Sequence, residues 1–168
     1  MYIDTHAHIN KNLYQDNLDE IVSFAVEQNV KKIICAGTSL TDSRLNLEMA
    51  QKYPGVIFPA VGIHPHNEGD ESGLSIDEQL KSLDELIAKN RESIVAVGEC
   101  GLDFSEANIE DAHSLSQDEQ KKVFLAQIDL AIKHNLPLLL HVNRVYDEVI
   151  EVLKAQNTNF TNGTNKGT

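Results

Sequence analysis

The feature that most constrains this chain is a strict alternation, repeated five times, of a short apolar run and a stretch with helical spacing. The runs open at Tyr2-Ile3 and then cover residues 32–37, 56–63, 93–98 and 137–140. Between them, Leu18, Ile21, Val22 and Ala25 mark one helix face, and Leu45, Met49 and Ala50 a second. Leu80, Leu83, Leu86 and Ile87 mark a third, and Val123, Phe124, Ile128, Ala131 and Ile132 a fourth. Val145, Val149, Ile150 and Leu153 mark the fifth. Helix starts are expected at Asp16 or Asn17, at Thr41 or Asp42, and at two capping boxes, Ser75-x-x-Glu78 and Ser116-x-x-Glu119.

Nearly continuous apolar strands are those buried on both faces, and alternating strands and helices give a parallel sheet with helices outside. Pro59 lacks a ladder donor and weakens the reading of the third strand at its middle. An open doubly wound sheet and part of a barrel both satisfy this pattern. The open sheet usually carries a glycine-rich nucleotide loop after an early strand, and none is present. The expected fold is therefore α/β, a TIM-type (β/α)8 barrel, incomplete, with its first five β/α units. Residues 1–156 form this partial barrel, and the polar stretch 157–168 reads as a disordered tail or loop. The fifth strand is then left with an open apolar edge that invites self-association, and no stable protein partner is expected.

The polar residues fall in a pattern of their own. Asp4, His6 and His8 share one side of the first strand, because strand side chains alternate. His64 and His66 follow the third strand, Glu99 the fourth and His141 the fifth. In a parallel barrel these positions make one rim, where active sites are built. Imidazoles with a carboxylate suit Zn, Mn or Co better than Ca. Glu99 has two oxygens with which to bridge two ions about 3.5–4 Å apart. Asp4 is placed to orient a histidine ring. His64 and His66 either contact a substrate phosphate or flank a proline that stiffens a loop. Asp103 reads as a loop anchor, and His113 and His134 as solvated side chains.

The net charge of −12 disfavours a broad grip on nucleic-acid phosphates, which needs a basic patch. Bound divalent ions can reverse the local sign of the field, so a phosphate substrate stays open. Cys35 and Cys100 read as buried free thiols in a reducing compartment. No signal peptide or membrane span is legible, and the cytoplasm is the expected location. The acceptor patterns Asn159-Phe160-Thr161 and Asn162-Gly163-Thr164 would then go unused.

Taken together, Asp4-Thr5-His6-Ala7-His8, Gly62-Ile63-His64-Pro65-His66, Gly98-Glu99-Cys100-Gly101-Leu102-Asp103-Phe104 and Leu136-Pro137-Leu138-Leu139-Leu140-His141 resemble the TatD family, in its order and at about its spacing. The resemblance implies a metal-dependent hydrolase related to the amidohydrolases, with phosphodiester bonds of DNA as substrate. It implies two divalent ions (Zn, Mn, Mg or Co), one held by His6, His8 and Glu99, and a second shared by Glu99 and helped by His141. Glu99 is the implied catalytic carboxylate, a metal-activated water the implied nucleophile, and His64 the implied neighbour of the substrate phosphate.

Where the family usually has Arg two residues after the fifth-strand His, this sequence has Asn143, with Arg144 one step later. A phosphate contact by that route needs Arg144 to turn inward. The family's sixth-strand His and late Asp have no counterpart up to Thr168. For this chain alone the expectation is weak metal binding, little activity and poor solubility. Two alternatives remain at this stage: a truncated, non-catalytic product, and an amidohydrolase-type enzyme cleaving a C–N or ester bond with the same metal-activated water.

Overall fold

The computed structural model describes residues 1–9, 14, 17–67, 70, 72–105 and 114–163, the last seven by their backbone. Five strands are described: β1 (Tyr2–Ala7), β2 (Val30–Cys35), β3 (Ile57–Val61), β4 (Ala96–Asp103) and β5 (Leu138–Asn143). They alternate with α1 (Leu18–Glu27), α2 (Leu40–Lys52), α3 (Ile76–Lys89), α4 (Gln117–His134) and α5 (Tyr146–Gly163). Every neighbouring pair is parallel, and the order in space is the order in sequence, β1-β2-β3-β4-β5. A doubly wound sheet reverses its strand order at a switch point; this one never does, which is the order of a barrel wall.

The helices start where local chemistry stops their first amides from going unpaired. Ser75 donates its amide and hydroxyl to Glu78, and Ser116 does the same with Glu119, so both capping boxes form. α2 begins at Leu40, because Ser39 accepts the amide of Asp42. Asn17 occupies the cap position of α1 without a side-chain cap bond, and Asp16 lies outside the described residues. α5 stays helical as far as Gly163, into the stretch expected to be a tail, and 164–168 lie outside the described residues.

Three apolar clusters fill the space between the strands and their helices. One joins Val22 of α1 and Met49 of α2 to Ile33, Cys35 and Ile57. A second packs Leu83 and Ile87 of α3 and Val123 of α4 on Val61 and Val97. The third packs Phe124 and Ile128 of α4 and Val149 of α5 on Cys100 and Leu102. Both cysteines are buried free thiols, and burial pushes that of Cys35 up to about 12. Pro59 sits inside β3, level with Cys35, and its carbonyl accepts the amide of Val95.

Two expectations about burial need correction. Tyr2 and Ile3 are not buried: they are 66% and 50% exposed, because β1 is an edge strand with nothing packed over them among the described residues. Ile132 and Ile150 also face outward, at the flanks of the helix faces they were assigned to. β5 forms the other edge and is only partly covered.

Two glycines of β4 are dictated by the neighbouring strand. Gly98 and Gly101 take φ of +146° and +149°, a region L side chains rarely adopt. A Cβ on Gly101 would overlap the carbonyl of His141, and one on Gly98 the carbonyl of Leu139. We expect Gly101→Ala to destabilise the fold by about 3 kcal/mol through strain and overpacking. Urea denaturation reads this as a lowered midpoint; an unchanged midpoint would contradict the close approach of β4 and β5.

Candidate metal centre

The site begins with an irregularity in β4. Gly98 pairs with Leu139 but Cys100 with Leu140, so Glu99 is an extra residue, a bulge. Cys100 and Leu102 point into the apolar layer, while Glu99 and Asp103 turn to the other face. β4 therefore runs further than expected: Glu99 lies within it, and Asp103 is its last residue. The amide of Glu99 is held by the Gly37 carbonyl at 2.8 Å, and Gly37 returns a bond to Gly98 at 3.1 Å, tying the end of β2 to the bulge. β5 supplies the facing residues in register, with Gly101 opposite His141 and Asp103 opposite Asn143.

Glu99, 5% exposed, divides its two oxygens between two groups of imidazoles. Its Oε2 lies 3.1 Å from His6 Nε2 and 3.2 Å from His8 Nε2. Those two nitrogens are themselves 3.1 Å apart. Its Oε1 lies 2.9 Å from His141 Nδ1. His6, His8, Glu99 and His141, the four residues expected to hold metal, are therefore brought together. His64 joins them, its ring 4.2 Å centre to centre from that of His141. Asp4 does not orient a ring; its Oδ1 accepts the backbone amide of His6 at 3.1 Å.

Burial alone would raise the pKa of Glu99. The hydrogen bonds of His141 and His8, with His64 and His6 nearby, reverse this and hold it well below the usual carboxylate range. The bond to Glu99 raises His141, against the opposing effect of burial and with help from Asp103. His64 goes the other way: burial, then the neighbouring His141, lowers it to about 3, so it is neutral. Its Nδ1 accepts the backbone amide of His66 at 3.1 Å. A neutral ring that accepts at Nδ1 carries its proton on Nε2, so His64 presents a donor.

The donors fit a divalent ion. His6 Nε2, His8 Nε2 and Glu99 Oε2 form a triangle of lone-pair atoms with sides of 3.1–3.2 Å, the crowding expected of ligands sharing one small cation. Buried His8 Nδ1 has no partner among the described residues. His64, Glu99 and His141 form a second group close enough to share an ion. In that group the tautomer of His64 favours donation over ligation, which leaves Glu99 and His141 as its better donors.

Asp103 does anchor the following loop, accepting the Ser105 amide at Oδ1, but its Oδ2 faces the site. His66 Nε2 lies 3.2 Å from that oxygen. Asn143 donates to it at 3.4 Å, and Arg144 is exposed at φ +61°. Two buried glutamines of α4 escaped notice altogether. Gln127 bonds both backbone groups of Ile63 at 2.8 Å, and Gln120 both those of Asp103 at 2.9 and 3.2 Å. Their seven-residue spacing along α4, shared with its inward apolar face, is the only sequence sign they give. His134, expected in solvent, is mostly buried and pairs with Asp84 at 2.7 Å, while His113 lies outside the described residues.

A parallel barrel wall with a histidine–carboxylate cluster at the C-terminal strand ends is the architecture of metal-dependent hydrolases. The family model described as TatD related DNase matches residues 3–164, and the chain belongs to that family. It is 32% identical over 163 residues to the uncharacterized metal-dependent hydrolase YabD of Bacillus subtilis, covering 97% of this chain and 59% of that protein. It is 27% identical over 150 residues to the 3'-5' ssDNA/RNA exonuclease TatD of Pectobacterium parmentieri, covering 89% and 53%. The crystal structure of YjjV, a TatD homologue from Escherichia coli, superposes with a TM-score of 0.78 at 28% identity, over 92% of this chain and 55% of that one. The chain thus spans somewhat over half the length of the relatives it matches. No described helix is long and apolar enough to cross a membrane.

The pKa directions fix a pH profile for the metal-free chain. His64 is lowered in the fold, so between about pH 6.5 and 4.5 the unfolded chain takes up a proton the folded one refuses, and stability falls with acid. His141 is raised, so its contribution is complete below about pH 6.5 and is lost as pH rises through its folded value. Urea midpoints measured against pH should peak near about pH 6.5. His64→Gln should flatten the acid limb, by up to about 1.4 kcal/mol per pH unit, and His141→Gln the alkaline one. A slope between about pH 6.5 and 4.5, above the range where the carboxylates titrate, that survives His64→Gln would refute the buried neutral assignment.

Proposed function

We propose that this chain carries the His-x-His, glutamate and fifth-strand histidine portion of a two-metal phosphodiesterase site, acting on DNA. The observation that supports it best is the division of Glu99, with Oε2 toward His6 and His8 and Oε1 toward His141. A carboxylate that bridges two ions must present its oxygens in this way. His6, His8 and Glu99 would hold the first ion, and Glu99 and His141 would contribute to the second. Zn, Mn or Co suits this donor set better than Mg, which prefers oxygen ligands and retained waters. When bound, such ions lower the pKa of water toward neutrality and neutralise charge developing on phosphate oxygens.

The chain's own residues do the rest. Glu99, held ionised well below neutral pH, supplies the fixed negative charge that attracts the cations. His64, neutral with its proton on Nε2, donates to a phosphate oxygen without competing for metal. His66 lies beside it as a further polar contact, and Arg144 supplies a cation at the exposed edge of the rim. Neighbouring imidazoles at the rim, not the overall charge of −12, set the local environment of the substrate. The relative named as a ssDNA/RNA exonuclease supports nucleic acid as the substrate class.

The test is Mn2+ and Zn2+ binding by calorimetry, paired with cleavage of single-stranded DNA by the native gene product. His6→Ala should weaken the tighter ion at least about tenfold, and Glu99→Gln should weaken both and abolish cleavage. Binding should release protons and tighten as pH rises, because His141 must give up its proton to become a ligand. Unaltered binding in Glu99→Gln would overturn the bridging role.

A further inference from the structure

We propose that Asp103 is a positioning residue: it fixes the ring and tautomer of His141 so that Nδ1, and not Nε2, faces Glu99. The inference rests on the reading of His141 as a ligand and goes beyond it. The two ring nitrogens of His141 have different partners. Nδ1 lies 2.9 Å from Glu99 Oε1 and Nε2 lies 3.1 Å from Asp103 Oδ2. A neutral imidazole has one N–H, and the nitrogen that faces metal must be the bare one. A carboxylate on the far nitrogen takes that N–H, holds the ring against rotation and makes the near nitrogen more basic. Asp103 stands where this requires.

Asp103 is built to hold its place. It is 3% exposed and closes β4, opposite Asn143 of β5. Gln120 of α4 clamps both its backbone groups, and the Ser105 amide fixes Oδ1. Oδ2 is thereby left to His141, to His66 at 3.2 Å and to Asn143 at 3.4 Å. One oxygen thus joins the end of β5 to the segment after β3. A role confined to anchoring the loop would use only Oδ1.

Ring-nitrogen NMR of the Zn2+-loaded chain, together with Co2+ titration followed by absorbance, separates the two roles. With the ion in place, the wild-type His141 ring should show its proton on Nε2. Asp103→Ala should shift it toward the Nδ1–H form and weaken Co2+ binding by about 10–100-fold. Asp103→Asn, whose amide oxygen can still accept from Nε2, should retain the tautomer and fall between the two in affinity; it also serves if the alanine variant does not fold. A wild-type ring protonated on Nδ1, or an unchanged tautomer in a folded Asp103→Ala protein, would overturn the proposal. A wild-type chain that binds neither Zn2+ nor Co2+ would overturn the metal reading and this proposal with it, whereas the other two outcomes overturn the proposal alone.

Discussion

The structure depends on keeping one carboxylate ionised where water is nearly excluded. Glu99 is buried at the inner face of β4, and an isolated charge there would cost several kcal/mol of desolvation. Three imidazoles within 3.2 Å offset that cost, and they are delivered from the two opposite edges of the sheet. The His6–His8 pair arrives on the first strand and just beyond it, His141 on the fifth. Parallel strands in sequential order are what bring such distant residues to one rim. The glycines around the bulge follow from the same demand, since β4 must press against β5 to keep Glu99 and His141 in contact.

Opposed electrostatic tendencies coexist within a few ångströms. Glu99 and Asp103 are held ionised, His141 is drawn toward its charged form by both, and His64 is kept neutral by burial and by His141 itself. Under the proposed reading, such divergence among neighbouring groups gives each a role: anions that would collect cations, a ring that would exchange its proton for an ion, and a ring that only donates. The chain's acidity is therefore a poor guide to its substrate. What matters is the handful of imidazoles on the rim, and the cations the carboxylates would gather.

Much of this was legible in the sequence because it rests on periodicity and spacing. The five units, both capping boxes and the convergence of His6, His8, Glu99 and His141 all follow from residue types at regular intervals. What was not legible depends on through-space partners. The bulge that turns Glu99 inward is set by register against β5, which no local pattern announces. Asp103 reads as a loop residue because its Oδ1 is one; only the fold shows where Oδ2 points. Tyr2 and Ile3 look like core residues, yet burial depends on a neighbour across the edge of the sheet that a strand's own composition cannot reveal. His134 is the converse: a polar residue at a helix end that finds Asp84 on the adjacent helix.

The buried glutamines of α4 extend the logic of the site into the helical layer. A glutamine amide can satisfy one backbone N–H and one C=O at once, which suits it to grip a strand end that has lost its ladder partners. Gln127 grips Ile63, directly before His64, and Gln120 grips Asp103, which holds His141 and His66. Both glutamines are fully or almost fully buried on one rigid helix whose apolar face is locked between β4 and its neighbours. The segment after β3 and the end of β4 are consequently referenced to the same element. Any displacement of α4 must move His64 and the Asp103 support together, so the geometry between them is conserved. A catalytic rim built on loops alone would have no such common frame.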